Sequence, residues 1–338
     1  MDEGSAELRA DRRQRLRRIL GAALALLLLA ALVVYLARFS NEWQRLEKLE
    51  PSQLALLSAI VLLGHVALAG KLRRSVTLFG ARLELWEAFC LIEFGSFVNL
   101  VPLNLGTPLR AAYLKRVASL DYLKFGLGFM GMQLSAIVVA GVVGLCFIVS
   151  TASPTNAAAW PLWVGFGAFV IAPCLAVAAG LWLRRSAVEV ATQGAVATTR
   201  LRALLTALRA GTEEMLRRPT ALASWLLFDS ITNFVMGARF FLVASFLGYD
   251  TGFASAMVLQ AATRASAVVS LVPAGTIGLR EGLSGLAAGA LGQAAISGVL
   301  IATVDRIVAT TWIVLLGTGS SFILKRRLAR LDADGAAA

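Results

Sequence analysis

The sequence predicts an all-α polytopic membrane protein: six full spans plus two re-entrant helical hairpins, laid out as an inverted-topology repeat. Three observations predict it. Hydrophobic residues make up 58% of the 338-residue chain and charged residues only 15%, where a soluble domain carries roughly a quarter charged. Several apolar runs approach or exceed the ~20 residues a bilayer demands, and they are continuous rather than alternating as barrel strands are. Two apolar regions are broken near their centres by similar segments, NLVPLNLGTPLR (Asn99 to Arg110) and SLVPAGTIGLRE (Ser270 to Glu281).

The elements follow in order. Residues 1–17 form a basic cytoplasmic tail, and 18–324 a single integral membrane domain. The N-terminal apolar run is too long for a signal-peptide core and has no small-x-small cleavage site after it, so 18–37 reads as a retained span. Further spans fall at 53–70, 125–149, 161–183, 220–247 and 295–324, and the broken regions at about 86–113 and 253–292. A basic cytoplasmic loop, 184–218, is long enough for an amphipathic helix at an anionic surface. The lead-in Gly80 to Phe89 reads as an interfacial segment, and 325–338 as a cytoplasmic tail.

The distribution of Lys and Arg sets the sidedness. If each broken region enters and leaves on one side, 25 of the 32 basic residues lie in loops on one face and three, in 38–52, on the other. The positive-inside rule makes the basic face cytoplasmic. This places the chain in the cytoplasmic (inner) membrane with both termini in the cytoplasm. Units 53–149 and 220–324 then share the pattern span–hairpin–span in opposite orientation, the construction of many alternating-access transporters.

The net charge of +12 follows from that loop bias, so nucleic acid is not an expected partner. Cys90, Cys146 and Cys174 stand singly in apolar segments and read as small core residues. His65, the one histidine, reads as a hydrogen-bonding group between helices. No His, Cys and carboxylate cluster has metal-ligand spacing, no Walker-type loop is present, and no cofactor is expected. Any energy for transport comes from ion or lipid gradients.

The broken motifs carry the chemistry. Pro102 and Pro273 favour helix ends, and Gly106, Gly275 and Gly278 permit tight reversal and close approach. The second arm of each hairpin starts a helix at membrane depth, whose free N–H groups and positive dipole end attract an anion. Arg110 and Arg280 follow one or two turns in. At matching depth on the opposite arms lie Glu93 and Arg264, so Glu93–Arg110 and Arg264–Glu281 pairs are expected. Asp229 and Arg239 lie in span 220–247, and Asp305 and Arg306 in the last span. Ionisable groups inside a bilayer are costly and line polar pathways or pair with one another. The excess of arginine over acid suits an anionic ligand, since guanidinium binds phosphate bidentately and stays charged. The anion-binding set is Arg110, Arg239, Arg264, Arg280 and Arg306, with Glu93, Asp229, Glu281 and Asp305 as counter-charges. Interfacial snorkelling of Arg110, and interhelical pairing for Asp229 and Arg239, stay open as alternatives.

At these residues the sequence resembles the flippase-like proteins related to the transmembrane region of lysylphosphatidylglycerol synthase. The family's early Pro-x-x-x-Gly-Glu-x-x-Arg-like element looks like Pro102, Gly106 and Arg110, with Tyr113 following. Its late Pro-Gly-Gly-x-Gly-x-Arg-Glu-like element looks like Pro273, Gly275, Gly278, Arg280 and Glu281. Thr107 replaces the early Glu, Ala274 replaces a Gly, and one extra residue precedes Gly278. The resemblance covers about 18–324 and implies movement of a lipid between leaflets, whether aminoacylated phosphatidylglycerol or another polar-headed or polyprenyl-linked lipid. With no soluble aminoacyl-transferase domain in the 338 residues, that enzymatic activity is not expected. The expected partners are the lipid substrate and, as an option, a separate lipid-modifying enzyme; a homo-oligomer is compatible. The rival reading is an intramembrane transferase using Glu42, Glu47 and Glu50.

Overall fold

The computed structural model describes residues 49–100, 105–152, 156–191, 218–264, 266 and 278–337. Nine helices and no strand occur among them: α1 (Pro51–Leu78), α2 (Leu85–Val98), α3 (Gly106–Ala118), α4 (Tyr122–Thr151), α5 (Trp160–Ala191), α6 (Pro219–Phe246), α7 (Phe253–Thr263), α8 (Leu279–Ala290) and α9 (Ala295–Ala337). Four are long and apolar enough to cross a membrane: α1, α4, α6 and the Ala295–Leu331 part of α9. They coincide with four of the six expected spans. A fifth, 161–183, falls on α5, whose apolar stretch Trp160–Leu175 is shorter. The expected span 18–37, Pro102, Pro273, Gly275 and the amphipathic part of the 184–218 loop lie outside the described residues.

Each broken region is two short helices, α2 with α3 and α7 with α8. At the first break the Asn99 side chain accepts from the Gly106 N–H at 2.8 Å. A Cβ on Gly106 would stand 2.0 Å from the Gly95 carbonyl oxygen. The arms therefore touch through two glycines, a contact no other residue permits. At the second break Gly278, at φ 84°, turns the chain into α8. Its N–H donates to Glu281 Oε2 at 2.9 Å, so the first turn of α8 is capped from within.

The two halves of the chain share their local construction. Both α1 and α6 are 28 residues long and start at a proline, Pro51 and Pro219, the helix position where the missing N–H costs nothing. Each ends on a left-handed glycine, Gly80 at φ 82° and Gly248 at φ 72°. Gly80 donates to Thr77 O and Ala81 to Val76 O, as Gly248 does to Ser245 O and Tyr249 to Ala244 O, the double closure of a Schellman cap. The next helices begin after the same interval, at Leu85 and Phe253.

Packing follows the same correspondence. Helix α1 lies on α2 as α6 lies on α7, α2 on α9 as α7 on α4, α3 on α4 as α8 on α9, and α1 on α9 as α6 on α4. Helices α1 and α6 meet each other, running antiparallel: Gly64 faces Val235, Gly70 faces Phe228, and Lys71 bonds Asp229. Small residues let these helices approach closely, as in other membrane bundles. Helix α5 stands outside this scheme and packs on α4, where Phe166 fills the space beside Gly144.

Several expectations are corrected. Helix α1 continues past residue 70 to Leu78, so Lys71, Arg73 and Arg74 are helical and not in a loop. No proline or glycine interrupts α1 between Gly70 and Gly80, and Lys71 is buried at 5% exposure. Helix α9 runs through the region expected as a tail. Its 43 residues extend about 64 Å at 1.5 Å per residue, well past a ~30 Å hydrocarbon core. Cys90 is buried as expected, but Cys146 and Cys174 are exposed on the helix surface, where an apolar side chain facing lipid meets no penalty.

Candidate functional site

Apart from Glu87, which meets Arg327 at 3.1 Å and accepts from the Tyr113 hydroxyl at 2.7 Å, the buried charges fall into three groups. The first joins α1 and α2. His65 Nδ1 and Glu93 Oε1 lie 2.5 Å apart, and Glu93 is fully buried. Arg110 does not pair with Glu93 as expected. Its guanidinium lies flat across Gly95, where a Cβ would stand 2.0 Å from Nε. From there it donates to the carbonyls of Leu91 (3.2 Å) and Ile92 (3.0 Å) and to Ser96 Oγ at 3.3 Å. The bare surface of Gly95 brings the backbone within its reach before the carboxylate. Arg110 thus pins α3 onto α2.

The second group joins α1, α4 and α6. Lys71 Nζ donates to both Asp229 oxygens, at 2.6 and 2.7 Å, and to the Met132 carbonyl at 2.6 Å. Ser135 Oγ adds a bond to Asp229 Oδ2 at 2.7 Å. The ammonium and the carboxylate are each met by several partners, as a buried ion pair requires. The sequence reading placed Asp229 here but missed Lys71, whose neighbours Arg73 and Arg74 drew it into a loop. The signal was the absence of any helix breaker between Lys71 and Gly80.

The third group joins α6, α7, α8 and α9. Asp305 pairs with Arg239 at 2.5 Å and with Arg280. Arg280 also stacks on Phe240, 5.7 Å from the ring centroid, a cation–π contact. Arg306 pairs with Glu281 at 2.8 Å. The expected Arg264–Glu281 pair is absent: Glu281 turns to Arg306 and to its own helix start. Arg264 donates instead to the thioether of Met236 at 2.9 Å, a weak acceptor. It lies within electrostatic reach of Asp229, Asp305, Arg239 and Arg280, so it links the second and third groups.

Among the described residues the second and third groups together set five cations, Lys71, Arg239, Arg264, Arg280 and Arg306, against three carboxylates, Asp229, Asp305 and Glu281. Lys71 and Arg239 are nearly fully buried, and Arg264, Arg280 and Arg306 half-buried. Among the described residues no trio of His, Cys and carboxylate side chains is grouped to hold a metal ion. An arrangement of this kind attracts and orients an anion.

The family model of the lysylphosphatidylglycerol synthase TM region matches residues 18–317. The chain belongs to this family. The match takes in every helix described here except the end of α9, which makes this member a multi-pass membrane protein related to lipid modification or transport. No curated protein and no solved structure matches the chain. The family assignment rests on the whole span, and the hairpin motifs at Gly106, Arg110, Gly278, Arg280 and Glu281 lie inside it.

Proposed function

We propose that this protein is a flippase-like transporter, moving the headgroup of an anionic or aminoacylated phospholipid, or of a polyprenyl-linked lipid, across the bilayer. The observation that carries the proposal is the excess of positive charge around α6–α9: among the described residues of the second and third groups five cations face three carboxylates, and Arg264 is held by no carboxylate. A lipid phosphate supplies the missing negative charge while its tails stay in hydrocarbon. Arg264 and Arg280 are its principal contacts, with Arg239 and Arg306 supporting through Asp305 and Glu281.

The transport architecture in this reading is an inverted-topology repeat of α1–α4 and α6–α9, with α2–α3 and α7–α8 as re-entrant hairpins. Its support is the matched helix lengths, caps and intervals, the exchange symmetry of the packing, and the antiparallel contact of α1 with α6. Broken helices at mid-depth on a repeat interface are where secondary transporters bind substrate. The basic loops orient both termini to the cytoplasm of an inner membrane.

Reconstituted vesicles with a fluorescent phospholipid test the reading. Arg280→Ala and Glu281→Ala variants that remain folded are expected to lose translocation. Wild-type rates in both would remove the site. A second reading draws on the family's description as a region of a synthase: the chain serves a separate lipid-modifying enzyme as its membrane partner. Recovery of such an enzyme with the affinity-purified chain supports it, and a chain that purifies and translocates alone counts against it.

A further inference from the structure

The two halves treat the same place differently. When α1 is aligned on α6 from their first prolines, and α2 on α7 from their first residues, His65 falls on Asn233, Ile92 on Gln260 and Ser96 on Arg264. In the first half this helix crevice satisfies most of its polar groups, Glu93 Oε2 excepted. His65 meets Glu93, and Arg110 reaches in to bond Ser96 and the Ile92 carbonyl. In the second half it does not. Asn233 and Gln260 are 1% and 0% exposed, and the Asn233 amide nitrogen donates to the Asp229 carbonyl at 2.8 Å, yet Asn233 Oδ1, Gln260 Oε1 and Arg264 Nε have no hydrogen-bond partner among the described residues. The Gln260 amide nitrogen and the Arg264 guanidinium both point at the Met236 sulfur. Asn233 lies one helical turn from Met236, on the same face of α6.

Buried polar side chains are almost always paired, and an unpaired one costs the free energy of its lost solvation. Two amide oxygens and one guanidinium edge left unpaired in a single crevice therefore describe a recognition surface with one donor of charge and two acceptors. We propose that Asn233 and Gln260 are specificity-determining residues that accept hydrogen bonds from a hydroxyl or ammonium group which the lipid carries beyond its phosphate, the phosphate resting on Arg264. This deepens the translocation reading and rests on its headgroup chamber. The substrate class is then a phosphodiester lipid with a donor-bearing head. A site built to bond such a donor discriminates against a lipid that lacks it, because the amide oxygens stay unpaired.

The test is lipid retention by the full-length purified protein in native mass spectrometry, with acyl-matched phosphatidylglycerol, phosphatidylethanolamine and phosphatidylmethanol. Phosphatidylmethanol carries the same charge as phosphatidylglycerol and no donor. Retention of phosphatidylglycerol, phosphatidylethanolamine or both about tenfold over phosphatidylmethanol is expected. Preference for the first names a hydroxyl, and for the second an ammonium. Asn233→Leu and Gln260→Leu are expected to bring all three to parity while phosphatidylmethanol binding persists. Gln260→Leu is also expected to melt no lower than wild type without lipid, since the Gln260 amide meets only the Met236 sulfur, at 3.8 Å. Equal retention of the three lipids by wild type, or a preference that survives both variants, overturns this inference and leaves the headgroup chamber standing. Retention of none overturns both.

Discussion

Lys71 and Arg239 stand at the same position of their helices, counted from Pro51 and Pro219, and each donates into the next long helix of its own half. Lys71 bonds the Met132 carbonyl of α4 at 2.6 Å, and Arg239 reaches the Asp305 carbonyl of α9 at 3.4 Å. Each cation then takes a different carboxylate, Asp229 on α6 for Lys71 and Asp305 itself for Arg239. A shared scaffold thus holds two buried cations, and the acids placed around them differ between the halves.

The Lys71–Asp229 pair ties α1 to α6 across the two halves. Removing one partner leaves an uncompensated buried charge, which costs about 3–5 kcal/mol. Lys71→Met and Asp229→Leu are each expected to lower the melting temperature in detergent sharply, and the double variant to recover most of the loss. A double variant as unstable as the two singles combined would contradict the pairing.

Gly95→Ala inverts an ordinary rule. Alanine favours a helix interior over glycine by about 1 kcal/mol, yet a Cβ here would fall 2.0 Å from Arg110 Nε. The arginine must leave its carbonyls, and α3 must lift from α2. The variant is expected to be destabilised, with a cysteine at Leu105 gaining labelling rate. Gly289→Ala, where a Cβ meets nothing within 4 Å, is expected to be neutral or slightly stabilised.

Asp305→Asn leaves Arg239 and Arg280 without their shared carboxylate. The expected result is a loss of stability that added anionic lipid restores more strongly than it stabilises wild type, because bound ligand supplies the missing charge. Equal shifts for wild type and variant would show that lipid does not reach this cluster.

The antiparallel contact of α1 with α6 is open to a direct check. A Cβ on Gly64 would lie 3.5 Å from a Val235 methyl carbon, so Gly64→Cys with Val235→Cys is expected to form a disulfide on mild oxidation. Gly64→Cys with Phe228→Cys, a residue that faces Gly70 instead, is expected not to.

Proline and glycine marked the breaks plainly in the sequence, because no helix runs unbent through Gly106 or Gly278. Hydropathy marked four spans for the same kind of local reason. What escaped were choices made between helices. Lys71 looked like loop charge because its helix outlasts its apolar run. Arg110 looked like a partner for Glu93 because both lie at similar depth, but Gly95 exposes backbone carbonyls to it first. Glu281 looked like a partner for Arg264, but it caps α8 and meets Arg306 on the helix packed beside it. The unpartnered amide oxygens of Asn233 and Gln260 have no sequence signature, since Asn and Gln in a span read equally well as satisfied.

The central claim is that the excess cations of α6–α9 hold a lipid phosphate midway through the membrane. An electron cryomicroscopy map of the protein in phosphatidylglycerol nanodiscs tests it most directly. The account predicts headgroup density bonded to Arg264 and Arg280, at the level of Asp305, with acyl tails leading out to the bilayer. Phosphates confined to the two membrane surfaces, with Arg264 and Arg280 neutralised by protein groups alone, would contradict it.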